Sequence, residues 1–288
     1  MSPTAPDYIL TLSCPDRIGI VHRVSGLLLA HEGNILDAQQ FGDEETGRFF
    51  LRVHFALTGS KAQAIEAVKA DMQNIASTFE MQWQIHGAHG KARLMILVSK
   101  QGHCLNDLLF RVHSGQLNAE VAAVVSNHRD FEGLVKSHGV PFHYLPVTPE
   151  TKAQQEAAII ELAQHLSVDL VVLARYMQIL SPDLCQALAG KAINIHHSFL
   201  PSFKGARPYY QAHARGVKII GATAHYVTPD LDEGPIIEQD IERVDHAMSV
   251  QDLTRVGSDV ESLVLARAVK AHIEQRILLN GSRTIVFR

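Results

Sequence analysis

Apolar positions in the first 86 residues repeat with two alternating periods, about two and about 3.6, which predicts strands and helices in the order βαββαβ. Tyr8 to Ser13 reads as a short apolar strand. Ile20 to Ala30 reads as a helix with Val21, Val24, Leu27 and Leu28 on one face, stopped by Gly33. Residues 34–41 and 48–57 flank the turn GDEETG, and Phe49, Leu51, Val53, Phe55 and Leu57 alternate strictly, which predicts a hairpin with one buried face. Ser60 is placed to cap a helix running to about Phe79, and Met81, Trp83 and Ile85 alternate as a final edge strand. This is the order of a ferredoxin-like fold, with two helices on one face of a four-stranded antiparallel sheet.

The pattern changes after HGAHGKAR, residues 86–93, whose two glycines and mixed polarity read as a linker. Short apolar runs at 94–99, 121–126, 142–145, 169–174 and 192–195 then alternate with helical or mixed stretches such as 149–166. Such alternation predicts a mostly parallel, doubly wound sheet covered on both faces, with ligands beyond the carboxyl ends of its strands. A strand pair from 221 to 244 and a long helix with Leu253, Val256, Val260, Leu263 and Val264 on one face complete it. The expected organisation is an α/β chain with one domain over 1–86, a linker over 87–93 and a second domain over 94–288.

Composition narrows the classes. An apolar share of 46%, a charged share of 19% and a formal charge of −4 describe an ordinary soluble protein and give no basic surplus for nucleic acid. The start, MSPTAPDYIL, lacks the features of a signal peptide, and no apolar run approaches the length of a membrane span. Cys14, Cys104 and Cys185 are far apart and odd in number, which fits a reducing cytoplasm better than a disulfide framework. The 17 histidines raise the question of a metal, but no ligand spacing such as HExxH occurs, and the adjacent His196 and His197 would point to opposite faces of a strand. The expectation is no metal.

Residues 193–240 hold the densest chemistry. Asn194 and His196 stand two apart at a strand end, so their side chains share a face and can converge on one small group. The asparagine offers an amide N–H to a developing oxyanion, and the histidine can accept and return a proton near neutral pH. Asp232, in the turn LDEGP, is the carboxylate placed to orient the imidazole or the nucleophile. These residue types suit acyl transfer. By spacing alone they remain a weak signal.

Two resemblances strengthen it. TLSCPDRIGIVHRVSGLLLAHEGNI resembles the opening of an ACT domain, a module that binds amino acids and similar effectors at subunit interfaces. The resemblance implies effector positions at Gly19 and Asn34, which otherwise read as a turn glycine and a helix-end residue. It also implies an amino-acid effector and a homodimer or homotetramer. Roughly residues 92–240 resemble the formyl-transferring folate enzymes, through the pair Asn194 and His196, the loop from Ser198 to Gly205, and the turn from Asp232 to Pro235. That likeness implies catalysis by Asn194, His196 and Asp232. It also implies a folate pocket with Met177 and Leu180 of LARYMQILSP beside the pterin, unless those two belong to a helical core stripe. Gly205 is expected as a turn residue of the same pocket.

The nucleophile is set by other residues. The resemblance implies a Gly-rich phosphate loop after the first strand of a glycinamide ribonucleotide formyltransferase, yet SKQGHCLNDLL has one glycine, Gly102, followed by bulky His103 and Cys104, with Lys100 as the available cation. His197 stands where those transferases usually carry proline. Together with the ACT-like module, the chain resembles the formyltetrahydrofolate deformylases over nearly its whole length. This implies hydrolysis of 10-formyltetrahydrofolate to formate and tetrahydrofolate, feeding purine synthesis and balancing the one-carbon pool, with no cofactor beyond the folate substrate. His197 and His225 are candidates to shape the site around water, or are structural histidines. A formyltransferase with an amine acceptor is the rival enzyme reading, and a non-catalytic folate or amino-acid sensor is the third.

Overall fold

The computed structural model describes residues 6–58, 64–200 and 208–288, so Ser60 and Gly205 lie outside the described residues. The chain divides into two compact units. In the first, strands β1 (Asp7–Pro15), β2 (Gly33–Asp43), β3 (Arg48–Leu57) and β4 (Gln82–Gly87) form a sheet in the order β2-β3-β1-β4. The three neighbouring pairs are all antiparallel. Helices α1 (Ile20–Ala30) and α2 (Ala64–Phe79) complete the ferredoxin-like arrangement. The buried face of α1 is Ile20, Val24, Leu27 and Leu28, whereas Val21 is 45% exposed. The stripe therefore starts one residue earlier than expected, because i, i+4, i+7 and i+8 follow the helical period more closely.

The second unit is built on β5 (Ala92–Val98), β6 (Ala119–Ser126), β7 (Phe142–Tyr144), β8 (Leu170–Leu173), β9 (Ala192–His196), β10 (Ile219–Tyr226) and β11 (Ile236–Arg243). They form one sheet in the order β11-β10-β9-β8-β5-β6-β7. The strands from β5 to β9 pair in parallel, and β10 and β11 add an antiparallel edge. Its helices are α3 (His103–His113), α4 (Glu132–Ser137), α5 (Lys152–His165), α6 (Pro182–Ala187), α7 (Pro208–Arg215) and α8 (Val250–Ile273). Parallel strands buried on both faces read as continuous apolar runs, and Leu94 to Val98 are each fully buried. The chain leaves β5 toward β6 and β7, then returns to β8 on the other side of β5. The loops after β5 and β8 diverge at this reversal, where open α/β sheets bind ligands.

The chain end departs from the expected organisation. A hairpin of β12 (Ile277–Asn280) and β13 (Arg283–Val286) follows α8, and residues 274–280 and 284–288 cluster with the first unit rather than the second. Phe50 packs there with Leu278 and Phe287, and Arg52 donates to the carbonyls of Glu274 and Gln275. Strand β3 is thus covered on both faces, not one. Period-two alternation reports only the face whose partners come from the local hairpin and helices. The join between units is also tighter than a 87–93 linker: β4 runs through Gly87 and β5 begins at Ala92.

Candidate active site

Asn194 and His196 lie at the carboxyl end of β9, on one face. Antiparallel β10 sets His225 opposite Asn194 and Thr223 opposite His196, and directly opposed residues share a face. The pairing of β10 with β11 shifts register between Ala224 and His225, an irregularity of the kind that re-aims a side chain.

The following turn brings in the carboxylate. Asp232 adopts a φ of 59°, a left-handed conformation that non-glycine residues keep only where their surroundings enforce it. Gly234 supplies that enforcement. A Cβ there would lie 1.7 Å from the carbonyl oxygen of Tyr226, and the Tyr226 N–H donates to the Pro235 carbonyl at 3.0 Å. The turn therefore lies flat against β10 and delivers Asp232 to the histidines.

Asp232 Oδ1 is 3.2 Å from His196 Nδ1 and 3.7 Å from His225 Nε2. His225 Nδ1 is 2.9 Å from the Tyr226 carbonyl oxygen, which can only accept, so that nitrogen carries a proton. In the neutral ring Nε2 is then an acceptor, and it receives the Asn194 amide at 3.3 Å. The second N–H of the amide remains for a substrate atom. Burial alone would raise the Asp232 carboxyl, but the hydrogen bond from His196 outweighs it and holds the group well below the usual carboxylate range.

Asn194, His196, His225 and Asp232 open on a cavity of about 280 Å³. Met177 and Leu180 line the same cavity. They stand on the loop that follows β8, not on a helix, so the helical-stripe alternative fails. Gln155 donates to the Tyr176 hydroxyl and Glu156 accepts from the Ser181 N–H, tying that loop to α5. In the first unit, Gly19 precedes α1 with a φ of 96°, and Asn34 is exposed on β2. Neither lines the open groove of that unit, which includes His22, Arg23 and Asp71.

His197 does not oppose His196. Strand β9 ends at His196, so alternation stops there, and the two rings stack with centroids 4.9 Å apart and planes 17° apart. Arg175 Nη1 lies 2.6 Å from His197 Nδ1. The imidazole is pushed down to about 4, first by burial, then by the charge of Arg175 and by His196.

This has a consequence for stability. The unfolded chain protonates the same imidazole near pH 6.5. Between about pH 6.5 and 4 the unfolded state therefore binds more protons, and stability falls as pH falls. The contribution, about 3 kcal/mol, is fully present above pH 6.5. The expected result is a denaturation midpoint that drops less steeply across that window in His197→Gln than in the unmodified protein; parallel curves would contradict it.

Three residues escaped the sequence reading. Thr223 is fully buried, and its hydroxyl donates to the Ser198 carbonyl while accepting from the Leu200 N–H and the Gln239 amide, pinning the loop after β9. Arg175 and Glu261 are 7% and 1% exposed. Glu261 accepts from the Tyr209 hydroxyl at 2.6 Å, lies 2.8 Å from His103 Nε2, and has Arg175 Nε at 3.3 Å. An apolar helix position occupied by a glutamate, as in VESLVLA, is the signal that could have found it. His103, Cys104 and Glu261 also bring ligand atoms within 4.8 Å of one another. The donor set does not suit a metal ion, because the guanidinium lies beside it and burial, then Glu261, push the Cys104 thiol far up.

The sequence model of the formyl transferase family matches residues 92–269, and that of the ACT domain matches residues 8–71. A formyltetrahydrofolate deformylase of Corynebacterium sp. (strain P-1) is 50% identical over 281 residues, covering 98% of each chain. The chain belongs to the formyltetrahydrofolate deformylase family. A solved deformylase of this family, from Burkholderia mallei ATCC 23344, matches with a TM-score of 0.94 and 52% identity over 98% of this chain and 100% of that one. A glycinamide ribonucleotide transformylase from Symbiobacterium toebii matches with a TM-score of 0.64 and 32% identity, covering 69% of this chain and 95% of its own. The likeness to deformylases thus spans both units.

Proposed function

We propose that the protein hydrolyses 10-formyltetrahydrofolate to formate and tetrahydrofolate, supplying formate for purine synthesis and balancing the one-carbon pool. The observation that carries this reading is the convergence of Asn194, His196 and Asp232 on one cavity, in a chain whose deformylase likeness is nearly end to end. Water attacks the formyl carbon and the carbonyl oxygen becomes an oxyanion. The free amide N–H of Asn194 and the Nε2–H of protonated His196 stabilise that charge, each donor being worth roughly 3 kcal/mol in such a site. Asp232 orients the water and takes its proton. Asp232 then delivers that proton to N10. The carbon to N10 bond then breaks, and N10 leaves with the proton. His225 positions the machinery by accepting from the Asn194 amide and fixing its orientation. Met177 and Leu180 flank the pterin, and no cofactor beyond the folate substrate is needed.

The neighbourhood of α3 favours water over a phosphorylated amine. Gly102 is packed under Phe131, where a Cβ would meet the ring at 2.3 Å. The buried Glu261 carboxylate, bonded to His103 at the first turn of α3, repels a phosphate approaching there. Glycinamide ribonucleotide added to a reaction containing 10-formyltetrahydrofolate is expected to leave the rate of tetrahydrofolate formation unchanged. A rate that depends on it would favour the amine-acceptor reading.

The same reading puts the reaction in the cytoplasm and the chain in a homodimer or homotetramer, with an amino-acid effector near Gly19 and Asn34. The three free, buried cysteines and the ACT domain match support it. Among the described residues no helix is long and apolar enough to cross a membrane.

A further inference from the structure

His197 has a chemical state dictated by its neighbour. A guanidinium has only donors, so the 2.6 Å contact from Arg175 Nη1 makes Nδ1 of His197 an acceptor and leaves the ring proton on Nε2. Arg175 is itself fixed. It is buried with a φ of 64°, its Nε donates to Gln101 at 2.7 Å, and the buried Glu261 carboxylate lies 3.3 Å away. The far end of the ring is a polar atom without a match. Nε2 of His197 is buried and, among the described residues, meets no hydrogen-bond partner. A buried donor left unpaired is costly and uncommon, and at such a position a water or ligand atom is the usual partner. The ring lines the catalytic cavity and stacks on His196.

The attacking water has a vacancy of matching chemistry. It gives one hydrogen to Asp232 and one lone pair to the formyl carbon, and its other lone pair needs a donor. Asn194 and His196 are committed to the oxyanion. A neutral donor holds the water without drawing charge from its oxygen, which a cation in the same place would do. We propose that Arg175, braced by Glu261, fixes His197 as a neutral imidazole whose Nε2–H holds the attacking water in the cavity. His197 is then the water-holding residue, and Arg175 and Glu261 are positioning residues acting through it. The inference rests on the hydrolytic reading above and extends it to the nucleophile.

Two variants and one spectrum test it. His197→Phe keeps the ring and removes the donor; kcat for formate release is expected to fall about 30-fold, with KM for the folate within threefold. His197→Gln restores an N–H near the position of Nε2 and is expected to recover most of that loss. Nitrogen-15 NMR of the imidazoles in the unmodified protein, with His197 assigned by its disappearance in His197→Gln, is expected to show the Nε2–H tautomer. This arm stands whether or not the phenylalanine variant folds. A kcat within threefold of the unmodified protein in His197→Phe, a glutamine variant as slow as the phenylalanine one, or an Nδ1–H tautomer would each overturn the proposal. If the unmodified protein releases no formate without an acceptor, the hydrolytic reading fails instead. If it does and His197→Phe does equally, the loss is confined to His197.

Discussion

Replacing Asp232 by asparagine is expected to lower kcat for formate release about a thousandfold while leaving KM for the folate within a few-fold. The substitution is nearly isosteric, so the turn should hold its shape. It removes a charge that lies 3.2 Å from His196 Nδ1 and 3.7 Å from His225 Nε2. In the proposed mechanism His196 then loses its anionic partner and the water loses its proton acceptor. Because both losses fall on the transition state, the effect belongs in kcat rather than in substrate binding. Steady-state kinetics of the purified variant decides it, and a kcat within tenfold of the unmodified protein would remove Asp232 from the chemistry.

The second large effect comes from a residue with no side chain. Gly234→Ala is expected to lower kcat about a hundredfold, although the glycine offers no group to the substrate. Its Cβ would sit 1.7 Å from the Tyr226 carbonyl oxygen, and a backbone atom of β10 cannot swing aside as a flexible side chain would. The turn must lift, and Asp232 lifts with it. A misplacement of about 1 Å in a catalytic group is enough for a loss of that order. The overpacked turn is also expected to cost about 1 to 3 kcal/mol of stability. Kinetics alongside a denaturant titration separates the two effects, and near-normal kcat would mean that the turn does not set the position of Asp232.

These two residues mark what the sequence discloses and what it leaves out. The shared face of Asn194 and His196 follows from period two on a strand and needs no tertiary information. The strands of the parallel sheet were legible for the same reason, as continuous apolar runs such as Leu94 to Val98. Residues whose role depends on chain segments far apart were not. Nothing local says that His225 opposes Asn194, since that register is set by the antiparallel return of β10. His197 was expected on the opposite face from His196 and instead stacks on it, because β9 ends at His196. Phe50 and Arg52 were expected on an open face, yet residues 274–280 and 284–288 return to cover it. Arg175 and Glu261 sit inside apolar-looking runs and are 86 residues apart in sequence. Only the fold brings them to 3.3 Å.

In the proposed reaction water, not an amine, takes the formyl group. Purified protein incubated with 10-formyltetrahydrofolate alone, with formate and tetrahydrofolate both quantified, tests it most directly. Equimolar formate and tetrahydrofolate, formed catalytically without any added acceptor, are the expected products. Intact 10-formyltetrahydrofolate after many enzyme equivalents of time, or formate appearing only when an amine is supplied, would contradict it.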